Sequence, residues 1–312
     1  MNILITGIHG FVGSNLVMAL GKEHVLYGLD IVAPEKKGVL KTFSWKDVEA
    51  GQLPVVDVII HLAGKAHDTK NTAQAQEYFD INTGLTKKIF DFFLAFRTQK
   101  FIFFSSVKAA ADFVVGDVLT EAVIPCPKGP YGESKIAAED YILSQKEKWE
   151  NRKQVYILRP CMIHGPGNKG NLNLLYNLVK KGLPWPLGDF ENRRSFTSID
   201  NLCYIIDGLI QKNVISGIYH IADDESLSTN ELIEIMCNVM GKKPHIWKVN
   251  KGFMTGCARL GSVMHLPLNL ERLQKLTENY VVSNAKIKAA LEIDRMPVHA
   301  REGLEKTIRS FQ

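Results

Sequence analysis

Three residues able to share one proton, Ser106, Tyr131 and Lys135, lie downstream of a glycine-patterned opening, MNILITGIHGFVGS. Tyr131 and Lys135 stand four apart in PYGESK, and positions i and i+4 share one face of a helix. An ammonium beside a phenol favours the phenolate, lowering a pKa that is about 10 when unperturbed. A tyrosine so placed exchanges protons near neutral pH, and Ser106 is placed to hold the reacting oxygen by a hydrogen bond. The spacing alone is a weak signal. Tyr176 and Lys180 in LLYNLVKK repeat it on what reads as an ordinary amphipathic helix. What separates Tyr131 is the strand-like KFIFF run at Lys100 to Phe104, which delivers Ser105 and Ser106 at its C-terminal end. Open α/β sheets bind ligands on that side.

The opening loop supplies a second function. Asn2 to Thr6 is a short β-branched run consistent with a buried parallel strand. It leads into Gly7-x-x-Gly10-x-x-Gly13 and then into helical spacing from Ser14 to Leu20. Glycines belong where the chain turns tightly, where backbone approaches a pyrophosphate and where helix packs on strand. The helix start then offers free N–H groups and a positive dipole end to phosphates. A second strand, His24 to Leu29, ends at Asp30, 20 positions after Gly10. A carboxylate there meets the adenosine ribose hydroxyls and repels a 2′-phosphate, which favours NAD, while Lys36 and Lys37 nearby leave NADP open.

The remaining elements must position these groups. Strands alternate with helices: Val55 to Leu62 closes on Ala63 and Gly64, Glu77 to Phe96 forms a long amphipathic helix carrying Asn82, and Tyr131 to Lys146 forms another. Gln154 to Leu158 is a strand that ends at Arg159-Pro160, and Leu172 to Lys181 is a helix. Short helices at Thr229 to Met240 and Arg301 to Phe311 follow among loops. The expected class is α/β, a doubly wound parallel sheet over residues 1–165 and 196–222, with a smaller lobe from 166–195 and 223–312.

With 312 residues, 46% of them hydrophobic, the chain can bury a large core. No apolar run approaches the ~18 residues that span a bilayer, and a strand opening at Asn2 leaves no room for a signal peptide. A cytoplasmic protein with no membrane partner is therefore expected. Five scattered cysteines without C-x-x-C spacing read as reduced thiols, with no disulfide frame and no metal site. His61 and His67 fit no metal spacing and read as structural. The +5 net charge suits an anionic small substrate, and no basic cluster suggests nucleic acid.

TGIHGFVGS, Asp30, HLAG, Asn82, FSS and YGESK, in this order, resemble the extended short-chain dehydrogenase/reductases, in particular their NAD-dependent nucleotide-sugar epimerase/dehydratase group. The resemblance covers nearly the whole chain. It implies a Rossmann-type lobe, a C-terminal lobe for a nucleoside-diphosphate sugar, and a homodimer. It also implies catalytic positions at Ser106, Tyr131 and Lys135, with Lys135 also holding the nicotinamide ribose. Cofactor contacts fall to Gly7, Gly10, Phe11, Val12, Gly13, Asp30, Leu62, Ala63, Gly64, Asn82, Ser105, Tyr131, Lys135 and Pro160.

LRPCMIHGPGNKGN and GLPWPLGDFENRRSFTSIDN are similar to a bacterial subgroup acting on UDP-sugars in surface-polysaccharide synthesis. Arg194 matches that family's diphosphate-gripping arginine, for which a guanidinium fork is well shaped. Asn171 is expected to touch the same group, as is a second cation, Arg272 or Lys275. Met162 stands where relatives carry an asparagine. Lys108 reads equally well as a site residue or a solvated lysine. Family dehydratases carry Asp-Glu directly after the catalytic hydroxyl residue, where this chain has Val107 and Lys108, so dehydration is not expected. The expected activity is 4-epimerisation or 4-keto reduction at C4 of a UDP-hexose or UDP-N-acetylhexosamine. A non-catalytic NAD(P)-binding sensor or assembly protein is the alternative, disfavoured by the complete triad.

Overall fold

Seven strands form one parallel sheet: β1 (Asn2–Thr6), β2 (Val25–Asp30), β3 (Lys41–Ser44), β4 (Val58–His61), β5 (Lys100–Phe104), β6 (Gln154–Pro160) and, after two short strands, β9 (Gly217–Ile221). The short pair, β7 (Met162–His164) and β8 (Phe196–Ser198), is itself parallel and separate. The computed structural model describes residues 1–66, 74–168, 170–264 and 268–312, without the side chain of Asn171. His67 lies outside the described residues. The sheet order is β3-β2-β1-β4-β5-β6-β9, which reverses direction between β1 and β4. That switch point opens a crevice at the strand C-termini, where doubly wound sheets bind nucleotides.

Period-two alternation explains why the sheet is buried on both sides. Ile3 and Ile5 of β1, Val58 and Ile60 of β4, Ile102 and Phe104 of β5, and Tyr156 and Leu158 of β6 enter one core. Their neighbours Leu4, Ile59, Phe101, Phe103, Val155 and Ile157 enter the opposite core. The first face is covered by the Phe11–Leu20 and Ile199–Gln211 helices through Leu16, Leu20, Leu202 and Ile206, and by Ile287 and Leu291 of the Ala285–Leu291 helix. Ile89, Phe90 and Phe93 of the Leu85–Ala95 helix and Ala138 and Ile142 of the Pro130–Ser144 helix cover the second. A third core joins the Asn171–Lys180, Thr229–Val239 and Ala300–Arg309 helices through Leu172, Ile233, Met236 and Leu304. At roughly 1.5–3 kcal/mol per buried large aliphatic side chain, these layers are what hold the strand ends rigid.

Several elements differ from the sequence-based expectation. The helix after the glycine loop begins at Phe11 rather than Ser14, because Gly10 already serves as its N-cap. The expected continuous Glu77–Phe96 helix is interrupted. An α-turn at Ala75–Tyr78 passes into a wide π-turn at Phe79–Gly84 before α-geometry resumes at Leu85–Ala95. Asn82 sits in that wide turn, and its side chain bonds both the backbone of Lys65 and the hydroxyl of Ser134. Such bulges commonly mark functional positions. Two helices in the last third, Lys251–Val263 and Leu270–Thr277, had been read only as loop-rich sequence.

One buried ion pair crosses the layers. Arg159 on β6, 1% exposed, gives a two-nitrogen fork to Glu139 on the Pro130–Ser144 helix, with Nε–Oε1 at 2.9 Å and Nη2–Oε2 at 2.6 Å. Ser105, at the end of β5, also donates to Glu139. Removing one partner of such a pair strands a desolvated charge, which costs about 3–5 kcal/mol. Glu139→Gln should therefore lower the unfolding free energy, read by urea denaturation, by about that amount; a loss below about 1 kcal/mol would show the pair to be dispensable.

Candidate active site

The C-terminal ends of β1, β4 and β5 carry the groups anticipated from the motifs. Gly7 ends β1 with φ +68°, a left-handed conformation that side chains rarely adopt. A Cβ on Gly13 would come within 2.6 Å of the Gly7 carbonyl oxygen, so the helix can approach the loop this closely only without a side chain. No side chain caps the helix start at Gly10. The first turn, with Phe11, Val12 and Gly13, thus presents its N–H groups to a phosphate. Asp30 is fixed at the end of β2 by the backbone N–H groups of His9 (3.0 Å) and Ile31 (2.8 Å). Lys36 reaches Ser14 in the same helix, 2.9 Å away.

Beyond β4 the chain runs through Leu62, Ala63 and Gly64. The Ala63 N–H is anchored by the Thr6 hydroxyl at 3.0 Å. A Cβ on Gly64 would meet Asn82 Oδ1 at 2.9 Å and Lys135 Nζ at 3.1 Å. That gap, the uncapped helix start and the tethered carboxylate form a cradle of the kind a dinucleotide fills, and the donor set fits one. Beside it, His61 is locked between Thr6 (2.6 Å) and Thr86 (2.9 Å). Burial, reinforced by Lys135, pushes its imidazole down to about 3, so it stays neutral and structural.

The triad is assembled by two elements. β5 ends at Phe104, and Ser106 caps the short Val107–Ala110 helix by accepting from the Lys108 N–H at 3.1 Å. The Ser106 side chain is also near enough to the Tyr131 phenol to oppose the rise in its pKa. Pro130 opens the helix that carries Tyr131, Ser134, Lys135 and Glu139. Lys135 Nζ donates to the Phe104 carbonyl at 2.8 Å and lies 5.1 Å from the Phe103 ring centroid. Burial lowers its ammonium to about 8, opposed by the negative charge of Glu139 one helical turn away.

The phenol behaves differently from the sequence expectation. Burial raises Tyr131 above its usual value, the Ser106 side chain pulls it partly back, and Tyr78 pushes it up again. Tyr78 packs edge-on to Tyr131 with ring centroids 6.4 Å apart. The Lys135 ammonium is bonded to a backbone carbonyl instead of the phenol, so it does not offset desolvation. Proton transfer through Tyr131 then requires further positive charge beside the ring.

Arg194 lies in a second region. It pairs backbone with Leu227 and Tyr280, and its guanidinium donates to the Lys275 carbonyl and faces Glu278 at 3.6 Å. Tyr280 links the two regions, donating to the Ala111 carbonyl at 2.7 Å in the segment after Ser106. Lys108, its side chain 39% exposed, pairs with Asp112 at 3.3 Å, donates to the Asp112 carbonyl at 2.7 Å and sits 4.5 Å from the Tyr280 ring centroid. Arg272 lies on an exposed part of the Leu270–Thr277 helix, its N–H held by Asn269 at 2.9 Å. Asn171 begins the Asn171–Lys180 helix, and its side chain lies outside the described residues. Pro160 closes β6 beside Arg159, and the Ser105 hydroxyl points into the Glu139 pair. Glu139, Arg159, Ser134 and Tyr78 were not anticipated. Glu139 was legible as the third member of the Tyr131, Lys135, Glu139 series at i, i+4 and i+8.

Three comparisons place this architecture. An UDP-glucose 4-epimerase of Vibrio cholerae is 30% identical over 253 residues, covering 77% of this chain and 76% of its own. An N-acetyl-alpha-D-glucosaminyl-diphospho-ditrans,octacis-undecaprenol 4-epimerase of Escherichia coli O157:H7 is 25% identical, covering 99% and 94%. The UDP-glucuronic acid 4-epimerase of Bacillus cereus, solved in complex with NAD, superposes with a TM-score of 0.76 at 20% identity, covering 99% and 98%. The model of the NAD dependent epimerase/dehydratase family matches residues 3–222, and with this glycine cradle and triad the chain belongs to that family.

Proposed function

We propose that the protein is an NAD-dependent 4-epimerase of a UDP-hexose or UDP-N-acetylhexosamine in surface-polysaccharide synthesis. The observation that carries this is the placement of Lys135, on the helix it shares with Tyr131, between the end of β5 and the glycine cradle: its Nζ donates to the Phe104 carbonyl and would meet a Cβ on Gly64 at 3.1 Å. Both relatives named above are, by their names, 4-epimerases of diphospho-sugars. The residues Gly7, Gly10, Gly13, Asp30, Gly64 and Asn82 would hold NAD, which when bound would supply a hydride acceptor for C4 and positive charge to the site.

The protein's own groups then have defined tasks. Ser106 holds the sugar 4-oxygen and Tyr131 removes its proton. Lys135, its charge supported by Glu139 and its Nζ bonded to the Phe104 carbonyl, would position the nicotinamide ribose rather than pair with the phenol. Arg194, with Arg272 or Lys275 as a second cation, would hold the diphosphate while the 4-keto sugar turns over. Tyr131 then returns the proton to the 4-oxygen of the turned-over sugar, so that inversion lies in which face of C4 is presented for hydride return. Val107 cannot donate a proton where a dehydratase places an acid, which argues against elimination of water. Reduction of a supplied 4-keto sugar uses the same proton path and differs only in net NADH consumption. The complete triad argues against a non-catalytic sensor or assembly role.

Incubation with UDP-glucose, UDP-N-acetylglucosamine and their 4-keto derivatives decides between these activities. Interconversion of C4 epimers without net NADH change is expected; stoichiometric NADH loss on a keto sugar would make the enzyme a reductase. Tyr131→Phe should lower kcat by about 10²–10⁴-fold while NAD affinity, measured by calorimetry, stays near wild type. Unchanged turnover would remove Tyr131 from the mechanism.

Lys135 also sets a pH-dependent stability. Its ordinary value is 10.5 and its folded value about 8, so between these the unfolded chain binds more protons. Stability therefore rises with pH across that window. The cost of the buried ammonium is fully present below about pH 8 and gone above about pH 10.5. Lys135→Met should be more stable than wild type at neutral pH by up to about 3 kcal/mol. That gap should close towards pH 10, read from denaturation midpoints; a pH-independent gap would contradict the burial of a charged Lys135.

A further inference from the structure

The Lys251–Val263 helix has two apolar faces. Met254, Ala258 and Gly261 are buried against the small lobe. A second stripe, Phe253, Cys257, Leu260 and Met264, repeats at helical spacing about a quarter-turn away and faces out. Phe253 is 65% exposed, Leu260 59%, Met264 58% and the adjoining Val263 77%. Trp247, in the segment entering the helix, is 58% exposed although its backbone is tied to Trp185 at 2.8 Å. Solvent-facing aromatic and aliphatic groups at this density mark an interaction surface.

The charges around the stripe say what it meets. Residues 241–264 contain Lys242, Lys243, Lys248, Lys251 and Arg259 and no Asp or Glu. The chain has 38 Lys and Arg against 33 Asp and Glu, so outside this segment 33 cations meet 33 anions. The net positive charge is thus local. Among the described residues none of the five pairs with a carboxylate. Lys242 instead donates to the Lys180 carbonyl at 2.7 Å, and Lys251 sits 5.9 Å from the Phe190 ring centroid.

We propose that this face docks on an anionic membrane surface, with the stripe entering the headgroup boundary and the exposed Lys248 and Arg259, next to Trp247 and Leu260 in the chain, meeting lipid phosphates. Helices that lie in a bilayer interface combine Trp, Phe and Leu on one side with Lys and Arg beside them. Protein–protein interfaces instead deplete lysine, which disfavours a second copy as the occupant. Among the described residues no helix is long and apolar enough to cross a bilayer. Docking departs from the sequence-based expectation of no membrane partner, which rested on the lack of such a span. The helix packs on Leu270–Thr277, whose Lys275 carbonyl receives Arg194, so docking faces the bilayer with the lobe proposed to bind the diphosphate. The inference does not depend on which sugar is the substrate.

Co-sedimentation with vesicles tests it. Full-length protein should pellet with phosphatidylcholine vesicles containing phosphatidylglycerol at about 0.1 M salt, bind phosphatidylcholine alone far more weakly, and be released near 0.5 M. Lys248→Ala with Arg259→Ala should weaken binding about 25-fold, roughly fivefold per cation. Leu260→Ser with Met264→Ser should weaken it comparably, with NAD affinity and thermal midpoint unchanged in both pairs because all four side chains are exposed. Equal or absent binding to the two vesicle types would overturn the proposal. So would light scattering showing a dimer that the Leu260/Met264 pair of substitutions converts to monomer, since the stripe would then be covered by a second copy.

Discussion

A lysine ammonium, a glutamate carboxylate and an arginine guanidinium share the interior beneath the strand ends, and the site depends on their remaining charged there. Burial alone disfavours each charge. Lys135 stays cationic because Glu139 lies one turn below it on the same helix face. Glu139 in turn is held by Arg159 from β6 and by Ser105 from β5. The chain of contacts ties the helix bearing Tyr131 to two neighbouring strands, so Ser106 and Tyr131 meet through rigid elements rather than through a loop. The cost is local instability, a common property of sites built to hold perturbed groups.

The same network explains why the phenol is poised rather than active on its own. Lys135 spends its hydrogen bond on the Phe104 carbonyl, while Tyr78 and burial keep Tyr131 protonated. A dinucleotide held in the glycine cradle would bring the positive charge that Lys135, bonded to the Phe104 carbonyl, does not give the phenol. The second lobe is coupled mechanically. Tyr280 is backbone-paired with the Arg193–Ser195 segment and hydrogen-bonded to the segment after Ser106, so the region around Arg194 is fixed relative to Ser106.

Much of this was legible in the sequence where one local rule acts alone. The Gly7, Gly10, Gly13 spacing and the apolar β1, β5 and β6 runs were legible because turn sterics and period-two burial write directly into residue type. The π-turn at Phe79–Gly84 was not, because its cause is the reach of Asn82 to Lys65 and Ser134, a tertiary demand that helical periodicity cannot display. β7 and β8, three residues each, are too short to show a period. β3, with the polar sequence KTFS, has only Phe43 buried. Arg159 looked like the end of an apolar strand, and its role emerges only when Glu139 is brought opposite. The shifted behaviour of Tyr131 followed from burial that spacing alone could not weigh against a nearby cation.

The most direct measurement of the central claim, reversible hydride removal at C4 with the proton passing through Tyr131, follows a UDP-sugar carrying deuterium at C4. The account predicts slowed turnover, with the label retained at C4 of the epimerised product because the same hydride is returned. Label washed out to solvent, or turnover indifferent to the substitution, would contradict it.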